Sequence, residues 1–182
     1  MPIVAGDIKI KLSTKSGSAG NTLAQGNVNA ALGKYISTTE FVTATGNNLF
    51  DNVTGAENAA SAVDYRCLFV HNTHGAIALE NAGIYLSSQV SGGTVLAIAI
   101  DDVAASPIGS SSAQAFIATN ETTDPAAGVG AFSSPSSAGS ALSLGTIPAG
   151  HCKAFWVRRT AANTVAVDDD GGAFVVIGDT SA

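Results

Sequence analysis

The fold is decided by the stretch Tyr65-Arg66-Cys67-Leu68-Phe69-Val70-His71, which contains four consecutive apolar residues. An unbroken apolar run of this kind is typical of a strand that is covered on both faces. Residues 72–75 follow it with the turn-forming sequence Asn-Thr-His-Gly. This stretch therefore predicts the central strand of a β-sheet.

Other strand-like segments recur along the chain at short, regular spacing, with Gly or Asn between them. The pattern is compatible with a short helical turn at 28–32 and with a helical turn or a loop at 54–62, and the composition is poor in the long charged side chains that cover helix surfaces. We therefore predict an all-β fold, an antiparallel β-sandwich of jelly-roll or immunoglobulin-like type with about eight strands. The further strand-like segments lie at residues 7–15, 36–45, 76–79, 84–86, 94–100, 115–118, 153–159 and 173–177.

The N-terminal segment has the clearest strand pattern. Residues 7–15 alternate strictly, so that Ile8, Ile10 and Leu12 fall on one face of a half-buried strand. Lys9 and Lys11 fall on the opposite face. We predict that the three apolar side chains anchor the strand in an interface and that both lysines remain in solvent.

A flexible break, Ser16-Gly17-Ser18-Ala19-Gly20-Asn21, follows this strand. It predicts an N-terminal strand or arm with its linker at 1–21 and a sandwich domain at 22–182. A lone terminal strand needs a sheet edge to satisfy its backbone groups, either in its own domain or in a neighbouring molecule. We favour the neighbouring molecule, paired by β-augmentation.

Residues 106–145 form a region of low complexity, rich in Ser, Ala and Gly. We interpret it as long surface loops around one strand at 115–118. Loops on a rigid β-scaffold are frequent contact sites, and a passive solvated loop is the alternative.

Charge and hydropathy limit the classes of partner. Charged residues make up 12% of the chain and the formal net charge is −6, whereas phosphate contacts require a basic face. No segment approaches the ~20 apolar residues of a membrane span, and residues 1–7 lack the basic region and apolar core of a secretory signal. We expect a protein that is synthesised in the cytoplasm and binds neither nucleic acid nor membrane.

The two cysteines, Cys67 and Cys152, each open an apolar run and have no metal-type spacing. Two free, buried thiols are the favoured interpretation, because cysteine often serves as a small buried hydrophobe. A disulfide between neighbouring strands is the alternative.

The sequence contains few candidate residues for catalysis or metal binding. His71, His74 and His151 are potential metal ligands, but no acidic or cysteine partner stands at a recognised spacing, and histidines beside a turn more often cap it. The acidic run at 168–170 lacks the alternation of a calcium loop. Glu121 and Asp124 are a possible carboxylate pair without an aromatic platform for a sugar nearby. We expect no catalytic, cofactor or metal site and therefore no enzyme.

The segment at 153–159 holds Trp156, Arg158 and Arg159. Trp and Arg are enriched in interfaces, and successive strand residues face opposite sides, so this strand is a candidate contact site. A core tryptophan beside a solvated arginine is the alternative. Together with Ile8, Ile10 and Leu12, these three residues form the predicted interface.

A resemblance covers most of the chain. It is carried by DIKIKLS at 7–13, LFDNV at 49–53, YRCLFVHN at 65–72, IYLS at 84–87, NET at 120–122, LGTIPAG at 144–150 and KAFWVRRT at 153–160. In these stretches the chain resembles small virion structural proteins of tailed bacteriophages. The resemblance implies a non-enzymatic particle component that is present in many copies.

The leading functional interpretation is a capsid decoration or cement protein that binds the head surface. A neck, tail or baseplate component of the same particle is the second, and a carbohydrate-binding or adhesion module is the third. The expected partners are other virion proteins, either the major capsid protein or neck and tail proteins, together with further copies of the chain in a homo-oligomer. The expected location is the virion, after synthesis in the host cytoplasm.

Overall fold

The computed structural model of the chain describes residues 2–43, 45–165, 167 and 170–180. Strands and isolated bridges hold 41% of the described residues, which confirms the predicted all-β class. Helical turns occur at both expected places, a 3-10 turn at Val28–Ala30 and a short α-helix, α1, at Gly55–Ala60. Two further 3-10 turns, at Ala5–Asp7 and Ala138–Ser140, were not predicted. The strands are β1 Ile8–Thr14, β2 Tyr35–Glu40, β3 Val63–Asn72, β4 Leu79–Gln89, β5 Val95–Ile100, β6 Ser106–Pro107, β7 Leu142–Ile147, β8 His151–Thr160 and β9 Gly172–Thr180.

The strands form two antiparallel sheets, as expected for a β-sandwich. The larger sheet has the order β2-β1-β3-β8-β5, and the short strand β6 also pairs with β8. The smaller sheet has the order β7-β4-β9. The predicted central strand, β3, lies in the middle of the larger sheet.

The first core fills the space between the two sheets. Alternate residues of β1, β3, β5, β8 and β9 point into it, which is the geometry that a pleated strand imposes. Phe155 of β8 and Phe174 of β9 meet here across the sandwich, with ring centroids 5.8 Å apart. Other core residues are Leu68, Val70, Leu79, Ile84, Leu86, Ile98, Leu144, Ile147 and Val157.

A second core lies on the opposite face of the larger sheet, where irregular chain covers the strands. Cys67, Phe69 and Trp156 are fully buried beneath Ala115 and Ala118. The prediction that β3 is covered on both faces is therefore confirmed. The low-complexity region was expected to form surface loops. Its small residues Ala115 and Ala118 are instead buried and are part of this second core.

The prediction of a strand at 115–118 is wrong. This segment has one isolated bridge, between Ile117 and Gly33, and is otherwise irregular. Its position depends on a close approach to Gly33, which has a φ of +90° and at which a Cβ atom would collide with the Phe116 carbonyl oxygen. The apolar pattern of the segment reflects burial and not strand pairing.

The structure corrects the expectation for the N-terminal strand. β1 pairs with β2 on one side and β3 on the other, with Ile10 opposite Val70 and Leu12 opposite Leu68. It is thus an interior strand of its own sheet and does not require a neighbouring molecule. Ile8 and Ile10 are half-buried against the inter-sheet core, and Leu12 is part of that core.

The expected division between an arm at 1–21 and a domain at 22–182 does not mark a separate body. Gly20 is buried and its amide donates to the Ser110 carbonyl oxygen over 3.0 Å. Lys11, expected in solvent, is 8% exposed and donates to the Asn21 side-chain oxygen over 3.0 Å. Lys9 is the more exposed lysine and lies 3.5 Å from Glu40. The Gly-Ser composition of the break permits tight packing as well as flexibility.

Both cysteines are free and buried, which confirms the favoured interpretation. Cys67 lies opposite Trp156 and Cys152 lies opposite His71, so the two thiols are four residues apart along the β3 register. That offset corresponds to about 13 Å, far beyond the reach of about 7 Å that a disulfide allows. Burial raises the pKa of Cys152 to about 12 and raises that of Cys67 well above its ordinary value.

We expect both thiols to react very slowly in the folded protein, since only the thiolate attacks an alkylating reagent and burial disfavours it. Intact-mass measurement after alkylation should show no label under native conditions. Two labels should be present after alkylation in denaturant without reductant. Rapid native labelling of Cys67 or Cys152 would contradict the burial described above.

Candidate interaction surfaces

The predicted contact residue Trp156 lies in the second core, fully buried. Its indole nitrogen donates to an Asp101 carboxylate oxygen over 2.9 Å. The same carboxylate accepts the Phe116 amide over 2.9 Å and the Val103 amide over 2.9 Å. Burial raises the pKa of Asp101, and these three donors oppose that rise. Trp156 is therefore part of a structural network, in line with the core alternative.

Arg159 is buried and belongs to an ionic cluster at one end of the inter-sheet core. Its guanidinium lies 2.6 Å from the Asp64 carboxylate and 3.3 Å from that of Asp51. It also donates to the Asp51 carbonyl oxygen. These contacts hold the loop before α1 against β3 and β8.

Arg66, which the sequence did not single out, completes this cluster. It is fully buried, lies 2.7 Å from the Glu121 carboxylate and donates to the Asn29 side-chain oxygen over 2.6 Å. The Phe50 ring is contacted by both guanidinium groups, with Arg159 at 4.7 Å and Arg66 at 5.1 Å from its centroid. Burial lowers the pKa of Arg66 and the Glu121 carboxylate opposes this. The cluster joins five segments of the chain and is structural.

Arg158 points to the other face of β8, as alternation predicts. It is half-buried and its guanidinium lies 5.1 Å from the centroid of the Phe132 ring. Of the six residues predicted as an interface, Leu12, Trp156 and Arg159 are therefore buried, and Ile8, Ile10 and Arg158 are half-buried against their own chain. The structure does not bring them together at the surface, because the apolar face of β1 meets the smaller sheet.

His74 and His151 make local hydrogen bonds, whereas the ring nitrogens of His71 have no hydrogen-bond partner among the described residues. His74 accepts the Ala76 and Ile77 amides at its Nδ1 atom, over 3.1 and 2.9 Å, and so caps the turn after β3 as predicted. His151 Nδ1 lies 2.9 Å from the Ala149 carbonyl oxygen. His71 is 5% exposed, and burial with the nearby Lys11 ammonium lowers its pKa to about 4. Among the described residues, no three His, Cys, Asp or Glu side chains cluster as metal ligands.

Of the acidic run at 168–170, Asp168 and Asp169 lie outside the described residues. Asp170 accepts the Thr94 amide over 2.6 Å at the turn before β5. In the other acidic pair considered for chemistry, Glu121 is bound to Arg66, and Asp124 accepts the Ala126 amide over 3.0 Å. Each of these three described carboxylates has a structural hydrogen bond.

The edges of the larger sheet are covered by the chain itself. At β2, the Thr38 amide donates to the Leu23 carbonyl oxygen over 2.9 Å, and the Ile36 carbonyl oxygen accepts the Asn21 amide over 2.6 Å. At β5, Ile98 and Ser133 exchange two backbone hydrogen bonds of 2.7 and 3.0 Å. Neither edge is open to a further strand along these residues.

The two edges of the smaller sheet differ from each other. β7 is short and irregular, with Gly145 at a φ of +73° and a register shift opposite Ala82. β9 is longer, nine residues, and pairs with β4 alone. Within the part of the chain that the structure describes, no backbone hydrogen bond covers its other side. β9 is therefore the open edge of the sandwich.

The sequence of β9, GAFVVIGDT, lacks the features that usually protect an edge. It contains no Lys, Arg or Pro, and its single charge is Asp179 near the end. Phe174 and Val176 point into the inter-sheet core. Val175 and Ile177 consequently lie on the outer face, where Val175 is opposite Tyr85. Both are half-buried.

An apolar cleft of about 260 Å³ lies beside β9. The N-terminal segment forms its other wall, and Val4 in this segment is 60% exposed. The open edge and the cleft together make the candidate interaction surface of the protein. The cleft is lined by Ile3, Val4, Ala5, Ile8, Leu79, Val176, Ile177, Gly178 and Thr180.

A second, polar cleft of about 280 Å³ lies near the arginine cluster. Its wall includes Asn27, Asn29, Asn120 and Glu121, and it contains no aromatic residue. Two of these groups are already engaged, since Asn29 and Glu121 both accept from Arg66. The cleft therefore has polar groups for a ligand but no stacking platform.

Comparisons with known protein families, curated proteins and solved structures found no match to this chain. In the described residues, no helix has the length and apolar character needed to cross a membrane.

Proposed function

We propose that the protein is a non-enzymatic structural component of a tailed-bacteriophage particle that decorates the outer surface of the head through protein–protein contacts. The observation that carries this proposal is the open edge β9, since the other sheet edges in the described part of the chain are covered or irregular. An open edge is suited to pairing with another chain, either a shell protein or a second copy of this chain in the particle. The assignment to a phage particle is based on the resemblance of the quoted sequence stretches to virion structural proteins.

The buried polar groups support a structural role. Asp101 binds three donors, Arg159 binds Asp64 and Asp51, and Arg66 binds Glu121 and Asn29. These hydrogen bonds stabilise one arrangement of the chain, although Arg66 Nε and both ring nitrogens of His71 have no partner among the described residues. The low charge and abundant Ser, Thr and Asn are suited to repeated, partly hydrated contacts with neighbours.

The test is the copy number of the protein in purified particles of the phage that encodes it, measured by quantitative mass spectrometry against the major shell protein. We expect a copy number comparable to that of the shell protein. A single ring of copies would contradict head decoration and place the protein in the neck or tail. Absence from the particle would overturn the virion proposal.

A glycan-binding role is not favoured, because the polar cleft lacks an aromatic residue on which a sugar ring could stack. A glycan array with the purified protein checks this directly. Reproducible binding that is lost in Asn120→Ala would contradict the structural proposal.

A further inference from the structure

We infer that β9 is a homotypic docking surface, at which a second copy of the chain adds its own β9 antiparallel and joins two three-stranded sheets into one. This inference rests on the geometry of the fold and holds whether or not the protein belongs to a particle. The edge strands of the two sheets differ in whether the chain itself covers them. The chain covers β2 and β5 with its own backbone and interrupts β7 at Gly145, but leaves the longer β9 uncovered in the described residues.

The side chains of β9 also favour pairing with a copy of the same strand. Residues 172–178 carry no charge, and Val175 and Ile177 expose part of their surface on the outer face. An uncharged strand rich in β-branched residues pairs best with a strand of the same kind. In the described residues, each copy of the chain has one such strand at an open edge, namely β9 itself.

The proposed pair of β9 strands has a register in which like charges do not meet. In an antiparallel pair with its two-fold axis at Val176, Val176 faces its own copy and Val175 faces Ile177. Asp179 then faces Ala173, so the two carboxylates are held apart and no like charges meet. An isologous interface must be self-complementary in this way. The apolar cleft beside β9, walled by Val4, continues the same surface.

The experiment uses the full chain and measures its mass by sedimentation equilibrium over a range of micromolar concentrations. We expect the wild type to form a dimer. In the variant Val175→Lys/Ile177→Lys, each introduced lysine faces a lysine of the other copy. Because like charges directly opposite are destabilising and the apolar contacts are lost, we expect the dimer Kd to rise about tenfold or more.

The matched control is Val175→Lys/Ile177→Asp, which changes the same two positions. Across the two-fold axis its lysine faces the introduced aspartate of the other copy, so this variant should dimerise more tightly than the double-lysine variant. Circular dichroism and thermal melts establish that both variants fold. A monomeric wild type, including one that takes up a foreign strand instead, overturns the inference. Equal dimerisation by the two folded variants also overturns it.

Discussion

Asp64→Asn is expected to lower the free energy of unfolding by about 3 kcal/mol, because it leaves the Arg159 guanidinium buried with part of its charge uncompensated. The Asp64 carboxylate is its closest ionic partner at 2.6 Å and is itself buried. The remaining partner, Asp51, is more distant at 3.3 Å and largely in solvent. Urea denaturation measures the loss, and a thermal melt should show a Tm lower by roughly 6–12 °C.

The control for Asp64→Asn is the exposed pair of Lys9 and Glu40, 3.5 Å apart. Glu40→Gln should change the free energy of unfolding by less than about 0.5 kcal/mol, since exposed pairs contribute little. The double variant Asp64→Leu/Arg159→Met removes both buried charges and should recover most of the loss. If Asp64→Asn cost no more than Glu40→Gln, the buried cluster would not stabilise the fold.

Most strands were predictable from the sequence, because their signals are local, but β6 and β7 were not predicted, and the segments at 76–79 and 84–86 correspond to the single strand β4. The apolar run of β3, the alternation of β1 and the Trp-containing segment of β8 all became strands. What the pattern left open was the partner of each strand. Strict alternation fixed which face of β1 is apolar, but not whether the smaller sheet of the same chain or another molecule covers it.

Two features depended on contacts between distant parts of the chain and could not be predicted in the same way. The segment at 115–118 has a strand-like composition, yet a side chain, the Asp101 carboxylate, takes up the Phe116 amide. Likewise, alternation places Arg66 and Arg159 on the core-facing side of their strands, but only the fold brings Phe50 to both of them. A signal was present in the sequence, since charged residues interrupt two otherwise apolar strands.

The position of the candidate interaction surface could not be predicted from local sequence patterns either. Residues 173–177 were predicted as the last strand, and β9 is observed at Gly172–Thr180. Nothing in that stretch indicates that it is an edge, because edge position follows from the order β7-β4-β9. The predicted interface was instead assigned from residue type and alternation. Of its six residues, Leu12, Trp156 and Arg159 are buried, and Ile8, Ile10 and Arg158 are half-buried.

The second large effect is expected at Asp101. Its carboxylate joins the irregular segment at 115–118, which covers the second core, to the larger sheet. Asp101→Ala leaves the Trp156 indole nitrogen and the Phe116 and Val103 amides without their acceptor. A buried donor that loses its partner costs about 1–3 kcal/mol, so three together should lower the free energy of unfolding by about 4 kcal/mol. Urea denaturation followed by Trp156 fluorescence reports both the stability and the environment of the indole.

The neighbouring residue provides the matched control, because Asp102 has the same side chain but is exposed. Asp102→Ala should change the free energy of unfolding by less than about 0.5 kcal/mol. In Asp101→Ala we further expect the amides of 115–118 to exchange hydrogen faster than those of β3, since the cover loses its anchor while the sheet keeps its ladder. If the two alanine variants were equally stable, or if exchange rose equally in both regions, the carboxylate would not be what holds the cover on the second core.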